Sequence, residues 1–253
     1  YVGAFHRTHY VWENNRLGIT SEVYPPFEPI RREGHALHVV GRSIRLGGLG
    51  LPDSVVSLGR EVLARPVVLK TGDGETVTGK GKFTAVAGDA AVYEATADRP
   101  DVKLTTRVIT EFDGCVRVEL TLAPGGGNKP LDRLWLEVPL KDAAAPLHHI
   151  TTAGLRNNPA GHTPAGEGVV WDSSKHIPSY RPTRFTDWTG NFKCYCWFGA
   201  EKRGLAWFAD NDAGWVLRKD GDQYAPAQEV LRDGDELMLR VNLIQKSITR
   251  DAP

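Results

Sequence analysis

The chain has no surplus of either charge: lysine plus arginine and aspartate plus glutamate number 31 each among 253 residues. A balanced surface gives no electrostatic reason to expect a nucleic acid or an anionic membrane as partner. Long apolar runs are also missing. No stretch approaches the roughly 18 residues that a membrane-spanning helix requires, so no membrane span is expected. The start, at Tyr1, shows no charged-then-apolar leader, which reads as a processed or excised polypeptide. Cysteines are few and odd in number, Cys115, Cys194 and Cys196. The last two stand at i, i+2, on one face of a strand, and neighbours so placed do not readily pair. A bridge from Cys115 to either of them stays open beside the simpler reading of small buried apolar residues. No internal repeat is visible.

What the chain has in quantity is turn formers, with 27 glycines and 16 prolines between short Val, Leu, Thr and Trp runs. That pattern favours strands over helices. Alternation predicts strands at 27–30, 36–40, 43–46, 55–58 and 66–70, and the helical candidate at 57–64 lacks length. An antiparallel meander follows at 82–87, 91–97, 103–112 and 115–122, with Asp113-Gly114 as its strongest hairpin signal. Further strands are expected at 131–140, with Trp135 at the centre, and at 215–218, 229–231 and 236–244. The stretch 192–215 reads as a hairpin of runs 194–198 and 205–209 around a polar turn at 199–204, and it carries Trp197, Trp207 and Trp215. Core packing is the favoured role for these three.

Periodicity fails over 141–191, apart from a short run at 169–171, and a structureless stretch of this length inside a domain is unusual. Its composition is too aromatic for a flexible linker. The residues expected to meet a ligand lie here: Trp171, Tyr180 and Trp188 as flat platforms, and His176, Arg181, Arg184, Asp187 and Asn191 as hydrogen-bonding groups. Sugars need both types, an aromatic face for the C–H side of a pyranose and planar polar groups for its hydroxyls. Trp171 and Trp188 serve equally well as anchors that hold the loop down. So many strands must bury two sheet faces against each other, which makes the expected fold an all-β, large antiparallel β-sandwich with one long loop and little helix.

Three separated segments carry a family resemblance: Trp12-Glu13-Asn14-Asn15-Arg16-Leu17-Gly18-Ile19 with Pro25-Pro26-Phe27, the hairpin of 192–215, and Val241-Asn242-Leu243-Ile244-Gln245-Lys246. Together they resemble the amino-terminal, non-barrel region of proteins similar to glycoside hydrolase family 123. The resemblance implies a supersandwich of the galactose-mutarotase type, one domain over 1–253 within a longer polypeptide, and a separate catalytic barrel in cis or on a partner chain. It also implies a carbohydrate ligand, with an N-acetylgalactosamine-containing glycan as first candidate. No cofactor is implied, and the setting would be secreted or periplasmic, in bacterial polysaccharide degradation.

Asp235-Glu236 matches the adjacent carboxylate pair of the family, where the substrate's own acetamido group attacks the anomeric carbon. In the family that pair belongs to the barrel, so a coincidence is the better reading. Asp210-Asn211-Asp212-Ala213-Gly214 has its glycine one place early for a calcium loop and no glutamate at the twelfth position. His148, His149, His162 and His176 lack the spacing of zinc ligands, so no metal is expected. Gly79-Lys80-Gly81-Lys82 lacks the spacing of a phosphate loop, and His6 with His9 carries little weight. Three functions remain: a sandwich supporting a catalytic barrel, a free-standing glycan-binding or interaction module, or an epimerase- or lyase-type enzyme. The last would use His148, His149 or His176 as acid and Tyr180, Asp172 or Asp187 as base.

Overall fold

The computed structural model describes residues 6–16, 18–72, 74–127, 129–151, 160–174, 191–221 and 223–248. Twenty-one strands and one 3-10 turn at Asp142–Ala144 make up the regular structure among them. Residues 57–64 form no helix but a turn and a short strand, because Leu58 and Gly59 take positive φ and reverse the chain.

The first sheet is a meander in chain order, β1 (Arg31–Glu33), β2 (Ala36–Val39), β3 (Arg42–Leu46), β4 (Pro52–Ser57) and β5 (Arg60–Glu61). Next come β6 (Val68–Thr71) and β7 (Glu75–Thr76), which belong to a later sheet, and then the four-stranded meander β8 (Lys80–Val86), β9 (Ala90–Asp98), β10 (Val102–Glu111) and β11 (Val116–Pro124). A six-stranded sheet runs in the order β15-β20-β21-β12-β6-β7, with β12 (Leu134–Lys141), β15 (Gly168–Asp172), β20 (Gln228–Asp233) and β21 (Glu236–Ile244). A smaller sheet, β14-β13-β16-β17, is built from β13 (Leu147–Thr151), β14 (Ala160–His162), β16 (Tyr195–Ala200) and β17 (Arg203–Phe208). The pair β18 (Lys219–Asp220) and β19 (Gln223–Tyr224) completes the set. The fold is thus an antiparallel β-sandwich. Instead of one loop, 141–191 holds β13, β14 and β15, whose short, polar-interrupted sequences are too brief for alternation to show.

Alternation decides which side chains enter the core. In β10, Val102, Leu104, Thr106 and Val108 are buried, while Lys103, Thr105 and Arg107 face solvent. Two apolar clusters result. One seats Leu37 and Ile44 of the first sheet against Tyr93 and Val108. The larger joins Leu134, Val138 and Leu140 of β12 and Leu237, Leu239 and Val241 of β21 to Ile150, Cys196 and Phe198 of the smaller sheet. It also takes in Ala97, Val102 and Leu104, so β9 and β10 serve both clusters. Each fully buried leucine contributes about 2 kcal/mol through the area it removes from water. Thr106 stays buried without loss because its hydroxyl donates to the Leu49 carbonyl at 2.6 Å.

Candidate functional site

Of the eight residues expected to meet a ligand, Trp171 and Asn191 are described, and His176, Tyr180, Arg181, Arg184, Asp187 and Trp188 lie outside the described residues. Trp171 sits on β15 in register with Val230 and packs, half-buried, against the larger cluster. The Asn191 side-chain oxygen accepts from the Ser173 hydroxyl at 2.6 Å and from the Ala227 amide at 3.1 Å, and its NH2 donates to the Ala225 carbonyl. Ser173 in turn accepts from the Gln228 amide, and the fully buried Gln228 side chain bonds both backbone groups of Lys193. This network ties the segment entering β16 to β20. Sequence reasoning missed Ser173 and Gln228, since single polar residues at strand ends carry no pattern.

The outward face of the six-stranded sheet holds a charged cluster that was also missed. Glu137, only 3% exposed, accepts from the Trp135 indole N–H at 2.9 Å and from Arg65 at 3.0 Å, with Lys70 at 3.7 Å and Arg240 at 3.8 Å. Burial pushes its carboxyl up, but the indole, Lys70 and Arg65 outweigh burial and hold it below the ordinary value. Arg65 also grips Glu236 through two bonds, at 3.0 and 3.1 Å, so the second carboxylate of the Asp235-Glu236 pair is engaged in a forked ion pair. The signal in the sequence was a glutamate standing alone in the apolar run Leu134-Trp135-Leu136-Glu137-Val138.

The histidines diverge. His148 and His149 are neighbours on β13 and point to opposite faces, His148 in register with Phe198 on the core side. Burial lowers the pKa of His148 by more than the nearby backbone at 161 and 162 raises it, which favours the neutral ring. Among the described residues no three His, Cys, Asp or Glu side chains converge as a metal-holding group. Residues 210–214 form a turn, the Asn211 side chain accepting from the Ala213 amide at 2.9 Å. All three cysteines are free, and burial, with Cys194 adding to it, pushes the Cys196 thiol up to about 12.

The surface also holds an apolar cleft of about 650 Å³ between the edge strand β11, the six-stranded sheet and the end of β17. Leu120 and Leu122 form one wall, Leu136 and Leu243 the floor, and Trp207 and Trp215 the other wall. The indoles meet at 6.2 Å, and Phe192 packs edge-on against Trp215 at 5.3 Å. Glu111, Arg117 and Asp210 stand among its lining residues as the charged ones. The cleft follows from register. Val116, Val118, Leu120 and Leu122 align with the core-facing residues of β10, but β11 is the edge of its sheet and Val118 remains 40% exposed. Trp207 and Trp215 pack on the core as expected; Trp197 lies on the opposite face of its hairpin.

No helix among the described residues is long and apolar enough to cross a membrane. None of the curated proteins matches the chain. A family model described as glycoside hydrolase 123, third domain, matches residues 30–226. The matched unit is thus described as third in its family, where the sequence resemblance pointed to the family's amino-terminal, non-barrel region. With that match covering most of its length, the chain belongs to the glycoside hydrolase 123 family.

Proposed function

We propose that this chain is a non-catalytic, carbohydrate-associated sandwich of a glycoside hydrolase 123 protein, one unit over 1–253, which supports a separate catalytic domain by packing against it. The cleft carries this reading. A groove of this size lined by leucines and two indoles exposes apolar surface that water penalises, and such surface marks an interface more often than a polar ligand site. The occupant we assign is another domain of the same polypeptide, because a domain described as third belongs to proteins that have others. The carboxylates support the same assignment. Glu137 and Glu236 are bound in ion pairs, and Glu61, although burial raises it, is held below its ordinary value by the Ser54 hydroxyl and backbone amides. A general acid needs the opposite environment, one that keeps its proton near neutral pH.

The test is Val118→Glu in the full polypeptide, at a half-exposed strand position where this domain itself tolerates a charge. Glycosidase activity is expected to fall, with the single melting transition splitting into two as the domains uncouple. Unchanged activity and melting would remove the cleft from the interface. An N-acetylgalactosamine-containing glycan and a secreted or periplasmic setting remain part of this proposal through the family alone.

A further inference from the structure

The outer face of the β14-β13-β16-β17 sheet has an arrangement that core packing does not explain. Cys196 and Phe198 point into the larger cluster, so Tyr195, Trp197 and Gly199 point away from it. Their partners across the sheet are Phe208, Ala206 and Gly204 on β17 and Thr151, His149 and Leu147 on β13. Two glycines facing each other inside paired strands weaken a sheet, since they bring backbone entropy and no side chain to pack. Here the glycine pair serves as a floor for the Trp197 ring. A Cβ on Gly199 would lie 2.5 Å from the six-membered part of that ring, and one on Gly204 would lie 2.8 Å from its Nε1. The indole therefore lies over both glycines through its Nε1–Cζ2 edge, partly exposed on the side of the sheet away from the larger cluster.

Two of the described neighbours on that face are small. Ala206, directly across from Trp197, is a small exposed residue, and Ala160, across from His149, is exposed as well. At the other end Tyr195 meets His149 edge-on at 5.9 Å, and Phe208 beside it is 56% exposed. No Lys, Arg, Asp or Glu stands among Leu147, His149, Thr151, Tyr195, Trp197, Ala206 and Phe208. These seven described positions thus combine an indole with imidazole and hydroxyl groups beside it and carry no fixed charge.

We propose that this face, centred on Trp197, is a saccharide-binding platform that stacks a neutral pyranose ring on the outward side of the indole, with His149 placed to hydrogen-bond its hydroxyls. The apolar C–H side of a pyranose matches a flat aromatic ring, and a neutral sugar matches a margin without charge. The assignment of a sugar rests on the reading of the chain as a carbohydrate-associated domain. It differs from the cleft, where the two indoles pack against each other at a tilt of 52°.

The experiment titrates the chain with neutral oligosaccharides of glucose, N-acetylglucosamine and N-acetylgalactosamine by calorimetry, using the wild type, Trp197→Ala and Ala206→Arg. The second variant leaves the indole in place and covers its outer face from an exposed position, so it separates binding from support of the glycine pair. Saturable binding that weakens at least about tenfold in both variants is expected, a change equal to about 1.4 kcal/mol. Binding unchanged in either variant overturns the platform, because an indole acting only as cover for the glycines tolerates Ala206→Arg. No binding to any of the sugars overturns it too, and leaves the cleft and its Val118→Glu test untouched.

Discussion

Glu137 shows how a buried charge is retained in this protein. Its carboxylate is out of water, yet an indole N–H and three cationic side chains surround it. Removing one member of a buried charge network leaves the others uncompensated, at a cost of about 3 kcal/mol. Glu137→Gln is therefore expected to lower the urea-unfolding free energy by about that amount at pH 7. Because the folded pKa lies below the ordinary 4.5, the stabilisation is complete above that value and is lost as pH falls through the lower folded one. The gap between wild type and variant should narrow in acid. A gap that stays constant to pH 3 would assign the loss to packing. None of this could be read from the sequence beyond the oddity of a glutamate in an apolar strand, since its partners come from positions 65, 70 and 240.

Hairpins were the most legible elements. Asp113-Gly114 joins β10 to β11 as expected, with Gly114 at φ 87° and the Asp113 carboxylate accepting from the Cys115 amide at 2.8 Å. Asp113→Ala removes that bond and should cost about 1 kcal/mol, measured as a lowered melting temperature with no change in the fold. An unchanged melting temperature would show that glycine alone sets the turn. The second hairpin was legible in kind and not in detail. A six-residue turn at 199–204 is expected from its polar residues, but Gly199 and Gly204 pair across the strands and the turn shrinks to Glu201 and Lys202. The reason lies in Trp197, whose ring stands in for the side chains the glycines lack, on its own strand at Gly199 and across the pair at Gly204.

For the molecule as a whole, β9 and β10 bind the two apolar clusters into one structure. Tyr93 and Val108 belong to the smaller cluster, and Ala97 and Leu104, farther along the same strands, to the larger. Loss of either cluster exposes one end of strands on which the other depends. Thermal unfolding of the chain is accordingly expected as one cooperative transition, with matching calorimetric and van't Hoff enthalpies. Two resolved transitions would divide 1–253 into separate units. Composition, turn residues and strand alternation by themselves determined an all-β antiparallel sandwich and its meanders, because those signals are local and each strand repeats every two residues. The order of the six-stranded sheet, the cleft beside β11, the Glu137 cluster and the outward indole of Trp197 were decided only in the tertiary structure. Each depends on which distant strands become neighbours, and that choice is made by burial of whole faces, which no short stretch of sequence encodes.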